Sequence, residues 1–207
     1  MILKALPAGP LMTNCYIVGD ESTGEAGVFD PSGDVPTILK ILEDNHLKCV
    51  VIVNTHTHFD HIGGNAELKE ATGAPLVLHP EEVPGLEQAS SRSRLFGLES
   101  ENSPGADRLV KEGDTITIGN LTGRVVEMRG HSPCGIAIIF ENEKVVISGD
   151  ALFAGSVGRA DLEGGDMQAQ VRDIREKLLV LDDETVVCPG HGPTTTVGRE
   201  KRFNPYF

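Results

Sequence analysis

The stretch Asn54-Thr55-His56-Thr57-His58-Phe59-Asp60-His61-Ile62-Gly63-Gly64-Asn65 places three histidines and an aspartate within six consecutive residues. It follows directly on residues 49–53, a continuous apolar run rich in Val that reads as a buried strand. His56 and His58 are two residues apart, so they are not the i, i+4 pair that a helix presents in a HExxH protease. The segment reads as a loop leaving the end of a strand, with a helix beginning near Gly64.

Working outward from this loop, the chain alternates between the two secondary-structure periods. Toward the N-terminus, residues 13–18 and 27–29 read as strands. Residues 32–45 read as a helix, with Val35, Ile38, Leu39 and Leu42 at helical spacing and Ser32 or Asp34 as its cap. Toward the C-terminus, 76–78 is a further strand, and 80–110 is polar and irregular, the character of a lid or substrate loop. From residue 115 the pattern turns to β, over 115–118, 121–128, 136–140 and 145–148, with Glu141-Asn142-Glu143 closing a hairpin. Residues 151–165 form a glycine-rich loop. Asp166 then reads as the N-cap of a helix to about Leu181, buried through Met167, Val171, Ile174, Leu178 and Leu181. Residues 186–188 make a last strand. No linker interrupts the series, so residues 1–207 read as one α/β domain, a sandwich with helices outside its sheets.

Three more candidate donors stand where β runs end. They are His131 in Gly-His-Ser-Pro, Asp150 in Ser-Gly-Asp, and His191 in Gly-His-Gly-Pro. Glycines beside the two histidines allow sharp turns, and ligand sites of α/β sheets commonly form at strand ends. Imidazole and carboxylate suit zinc and similar divalent ions. A catalytic zinc takes about three protein ligands, so the seven groups His56, His58, Asp60, His61, His131, Asp150 and His191 fit two ions sharing one carboxylate. His46, near a helix end, and His79, before Pro80, read as structural. So does Cys188, a buried small hydrophobe.

Composition narrows the classes. The chain has 207 residues, 39% hydrophobic, and a formal net charge of −13. Nucleic-acid backbones are bound through Lys and Arg, so an acidic chain is a poor nucleic-acid binder. No stretch reaches the roughly 18 apolar residues of a membrane span, and the N-terminus carries no apolar leader core. Cys15, Cys49, Cys134 and Cys188 form no CxxC pair and read as reduced thiols of a soluble, cytoplasmic protein.

On these residues the chain resembles a known family. Thr55-His56-Thr57-His58-Phe59-Asp60-His61 looks like the HxHxDH signature of the metallo-β-lactamase superfamily, with His131, Asp150 and His191 following in its order. The resemblance covers nearly the whole chain and is nearest the short glyoxalase II-like, or hydroxyacylglutathione hydrolase-like, branch. That branch is carried by residues 152–162, by Gly164-Gly165-Asp166, and by Glu200-Lys201-Arg202-Phe203-Asn204-Pro205. It implies a four-layer αββα sandwich. It also implies one ion held by His56, His58 and His131, a second by Asp60, His61 and His191, and Asp150 bridging both. Zinc is the first expectation, with iron or manganese as alternatives. Two departures stand out: the chain ends without the C-terminal helical region of longer glyoxalase II enzymes, and Ser132-Pro133-Cys134-Gly135 replaces the expected Thr-Pro-Gly after His131.

The activity implied is hydrolysis of a glutathione thioester such as S-lactoylglutathione by a metal-bridging hydroxide, with Asp60 as the catalytic side chain that orients the nucleophile or passes a proton. Arg159 is a candidate contact for an anionic substrate, weighed evenly against an internal salt bridge to Asp161. The alternatives are a persulfide dioxygenase with one iron on His56, His131 and Asp150, or a lactonase or β-lactamase of the same fold. A non-catalytic metal-binding protein is disfavoured because no ligand of the signature is lost.

Overall fold

The computed structural model describes residues 1–207. The chain divides into two compact units, residues 1–110 with 117–122, and residues 111–116 with 123–207.

The first unit is built on a six-stranded sheet whose spatial order is its chain order: β1 (Ile2–Ala8), β2 (Thr13–Asp20), β3 (Glu25–Phe29), β4 (Lys48–Val53), β5 (Leu76–Leu78) and β6 (Arg108–Leu109). β1, β2 and β3 pair antiparallel through short turns, whereas β3 to β6 run parallel. Parallel neighbours need crossovers, and the helices α1 (Val35–Asp44), α2 (Phe59–Ile62), α3 (Asn65–Thr72), α4 (Val83–Leu86) and α5 (Ala89–Leu95) lie in them. Alternate strand residues Ile17, Val28, Ile52 and Leu76 share one apolar cluster with Ile38 and Leu42 of α1 and Leu68 of α3. The intervening residues Tyr16, Phe29, Val53 and Val77 are buried as well. A sheet covered on both faces accounts for the unbroken apolar run of β4.

Three sequence expectations need correction in this unit. Asp34 stands at the N-cap of α1, but its side chain caps nothing, and Pro36 sets the first turn instead. The histidine loop is not irregular throughout, because Phe59–Ile62 closes one helical turn. Residues 80–110 hold α4, α5 and β6, elements too short for periodicity to show.

The rest of the chain carries β7 (Thr115–Ile118) and β8 (Leu121–Met128), whose residues 117–118 and 121–122 are counted with the first unit, then β9 (Gly135–Phe140), β10 (Val145–Gly149), a separate hairpin of β11 (Leu152–Phe153) and β12 (Ser156–Val157), β13 (Val186–Pro189) and β14 (Thr195–Thr196) of the second. Its sheet has the order β14-β13-β10-β9-β8-β7. β10 and β13 are parallel, and α6 (Met167–Asp173) lies in their crossover, continuing as a π-helical turn over Ile174–Leu178. α7 (Val197–Phe203) ends the chain's regular structure. Asp166 caps α6 as expected, accepting from the Gln168 and Ala169 N–H groups at 2.9 and 3.0 Å. The expected apolar stripe is only half right. Ile174 and Leu178 are buried with Val146, Val187 and Val197, but Met167 is 38% exposed. Gln170 and Asp173 turn inward because they hold loops: Gln170 Nε2 donates to the Ala151 carbonyl at 3.2 Å, and Asp173 Oδ2 accepts the Arg129 N–H at 3.1 Å. No helix is long and apolar enough to cross a membrane.

Candidate metal centre

In the first unit the donors sit between the end of β4 and the helical turn α2. Asp30, one residue past β3, organises them, with its backbone at φ 49°. Its Oδ1 accepts the Thr55 N–H at 2.7 Å, and its Oδ2 accepts the Thr55 hydroxyl at 2.7 Å. The same Oδ2 lies 2.9 Å from His61 Nδ1. A carboxylate only accepts, so His61 carries its proton on Nδ1 and keeps Nε2 as its lone-pair nitrogen. The Thr55 proton is directed at Asp30, so the 3.1 Å contact between Thr55 Oγ1 and His56 Nδ1 makes His56 the donor. His56 therefore also presents Nε2, which faces His58 Nδ1 at 3.1 Å. Asp60 is fixed from β2, where the Thr13 hydroxyl donates to its Oδ2 at 2.8 Å, and His61 Nε2 lies 3.7 Å from that oxygen.

The backbone between the two histidines is pinned separately. The Thr57 N–H and hydroxyl both donate to Glu82 Oε2, each at 2.9 Å, and Glu82 is buried. Asn54 and Asn65 exchange side-chain hydrogen bonds of 3.2 and 2.8 Å, tying the start of α3 to the loop. Donor atoms of Asp30, His56 and His61 fall within 4.8 Å of one another. Because the Asp30 oxygens already accept from Thr55 and His61, we assign Asp30 to orientation and not to ligation.

The second unit brings together His131, Asp150 and His191. Asp150 Oδ2 lies 3.4 Å from His131 Nε2 and 3.6 Å from His191 Nε2. His131 Nδ1 donates to the Arg159 carbonyl at 2.8 Å, which again leaves Nε2 as the lone-pair nitrogen. Gly158 lets that carbonyl approach: a Cβ there would run into the Asp150 carbonyl and lie 2.9 Å from His131 Nδ1. The Arg159 side chain, 54% exposed, pairs with both Asp161 oxygens at 2.7 and 2.8 Å. That pair holds the Asp161 carboxyl down at about 2. None of the four cysteines is in a disulfide, and all four are buried. Burial pushes the Cys188 thiol up to about 12, in keeping with a small core residue.

The donor chemistry fits divalent ions. Three imidazoles have their Nδ1–H committed to an oxygen partner, the arrangement that fixes the tautomer of a metal-ligating histidine. Sequence reading missed Thr13, Asp30 and Glu82. The one visible signal was an aspartate at the end of an apolar strand, in Phe29-Asp30-Pro31. His79 accepts the Glu81 N–H at 3.2 Å at the end of β5, and His46 follows α1, both at the positions expected of structural residues.

Comparison with known proteins places this arrangement. Residues 8–191 match the family model described as the metallo-beta-lactamase superfamily, a span that takes in donors of both units. A hydroxyacylglutathione hydrolase, GloC of Haemophilus influenzae, is 32% identical over 209 residues, covering 100% of this chain and 98% of that one. Among solved structures, BLEG-1 B3 metallo-beta-lactamase superposes with a TM-score of 0.93 at 38% identity, covering 99% of each chain. TTHA1623 in a di-iron-bound form gives 0.90 at 38% identity, covering 99% of this chain and 100% of that one.

Proposed function

The chain is a metallo-hydrolase of the metallo-β-lactamase superfamily, with that family's fold, and from this premise we propose that it hydrolyses a glutathione thioester such as S-lactoylglutathione. In this reading His56, His58 and His131 hold one divalent ion, Asp60, His61 and His191 hold a second, and Asp150 serves both. The observation that carries it is the commitment of His56, His61 and His131 through Nδ1, which aims three ring nitrogens for ligation. Zinc is the ion we favour. Iron is the alternative, since a relative of 38% identity is described in a di-iron-bound form. Bound ions of this kind bring a water's pKa toward neutrality and polarise a carbonyl oxygen.

The chain's own residues supply the rest. Asp60, steadied by Thr13, orients the attacking water and takes up its proton. A thiolate is a good leaving group, so no strong general acid is required. Arg159 keeps guanidinium N–H groups beyond its pair with Asp161 and offers them to a substrate carboxylate. The full-length match to a hydroxyacylglutathione hydrolase supports the thioester. Free thiols suit work in the cytoplasm.

The test is thiol release from S-lactoylglutathione by protein of measured metal content, beside Asp60→Ala. Turnover that Asp60→Ala removes supports the reading. No release from fully metallated protein sinks this substrate. Oxygen uptake with glutathione persulfide by an iron-loaded sample would then replace hydrolysis with dioxygenation.

A further inference from the structure

The C-terminal segment Glu200-Lys201-Arg202-Phe203-Asn204-Pro205 has no part in the chemistry above, yet it contains two buried polar side chains. Glu200, on α7, is 1% exposed and carries three close hydrogen bonds. Its Oε1 accepts the Thr195 hydroxyl at 2.6 Å, and its Oε2 accepts the Gly155 N–H at 2.8 Å and Asn204 Nδ2 at 2.8 Å. Asn204 Nδ2 also donates to the Ser156 carbonyl at 3.0 Å.

These partners stand next to ligands. Gly155 and Ser156 lie at the turn of the β11–β12 hairpin, which starts two residues after Asp150 and leads into Gly158 and Arg159, whose carbonyl orients His131. Thr195 starts β14, at the end of the loop that carries His191. One buried carboxylate thus ties the loop of His191 to the hairpin that links Asp150 with the His131 partner. A surface-tail role would not need an acid this buried, since burying a charge is costly unless every acceptor is satisfied.

We propose that Glu200 and Asn204 are positioning residues for the metal centre: a buried brace that sets the spacing of His131, Asp150 and His191. The inference rests on the ligand set proposed above but not on the thioester. Its consequence is selective. Loosening the brace lowers metal affinity in a protein that stays folded, because ligand spacing changes before the core does. Asn204→Asp keeps the side chain's shape, removes both Nδ2–H donors and sets a second carboxylate against Glu200. Glu200→Gln is milder, since the amide oxygen can still accept from Gly155 and Asn204 while its NH2 turns to the Thr195 hydroxyl, which can accept.

The experiment is zinc binding to metal-stripped protein, by competition with a chromophoric chelator, together with the visible spectrum of the cobalt-loaded protein. Leu178→Ala, a core truncation in the same unit, serves as a control for stability loss alone. Asn204→Asp is expected to weaken zinc about 10- to 100-fold, the usual effect of losing an outer partner of a ligand, and to alter the cobalt spectrum. Glu200→Gln should lie near wild type, and Leu178→Ala should melt earlier with affinity unchanged. Equal affinity in Asn204→Asp and wild type, or equal loss in Asn204→Asp and Leu178→Ala, overturns the proposal. If Asn204→Asp does not fold, Glu200→Ala is measured in its place by the same criteria. Wild type that binds no zinc or cobalt would overturn the metal centre itself, a different failure.

Discussion

Replacing Asp30 by Asn preserves the side chain's shape and removes its capacity to accept all of its hydrogen bonds at once. The carboxylate takes the Thr55 N–H on one oxygen, and the Thr55 hydroxyl and His61 Nδ1–H on the other. An amide can meet this set in two ways. With NH2 toward His61, two donors face each other and His61 must move its proton to Nε2, the nitrogen needed for ligation. With NH2 toward Thr55, a buried backbone N–H loses its acceptor, at about 1–3 kcal/mol, and the two remaining bonds are no longer charge-assisted. The second arrangement costs less, so it sets the expected magnitude. For a chain of this size, that loss lowers the melting temperature by about 2–12 °C. The slackened His61 weakens metal binding by about 10- to 100-fold. Thermal melts of the metal-stripped protein and chelator competition measure the two effects separately. A variant that melts earlier but binds zinc like wild type refutes the orienting role. One unchanged in both refutes the hydrogen-bond reasoning as well.

Thr13→Val removes the hydroxyl that donates to Asp60 at 2.8 Å; a hydrogen bond to a charged group is worth about 1.5–3 kcal/mol, so kcat should fall about 10- to 100-fold when variant and wild type are compared at saturating metal, measured by thiol release. Gly158→Ala places a Cβ against the Asp150 carbonyl and His131 Nδ1; overpacking of this kind costs about 1–3 kcal/mol, and zinc titration should show weaker binding beside a lower melting temperature. Burial raises the Cys15 thiol well above its ordinary value, Cys49 to about 11 and Cys188 to about 12. The folded state therefore keeps protons that the unfolded state releases above its thiol value of 9.0, and stability is expected to fall as pH rises from there toward 12, seen as earlier melting. The same thiols should stay unreactive toward an aromatic disulfide reagent at pH 8 until denaturant is added.

The proposed ligands and their supports differ in how plainly the sequence shows them, and the reason is physical. His56, His58, Asp60 and His61 are neighbours in the chain, and His131, Asp150 and His191 each follow a strand, so their residue types alone suggest a purpose. Their supports work through space. Thr13 reaches Asp60 across 47 residues, Asp30 reaches His61 across 31, Glu82 reaches Thr57 across 25, and Glu200 reaches Gly155 across 45. Apolar periodicity reports which face of an element is buried. It is silent on what a buried polar atom meets. The helix after Asp166 shows the limit and a way past it. An apolar stripe was expected from Met167, but Met167 faces solvent while Gln170 and Asp173 face inward. Each polar residue that broke the apolar pattern holds a loop beside a ligand, Gln170 at Ala151 and Asp173 at Arg129. Glu200 on α7 and Asn204 just past its end are buried polar residues of the same kind. A buried charge or amide costs stability unless satisfied, so Gln170, Asp173, Glu200 and Asn204, each bonded to backbone near a proposed ligand, mark loops that the sequence pattern alone leaves unexplained.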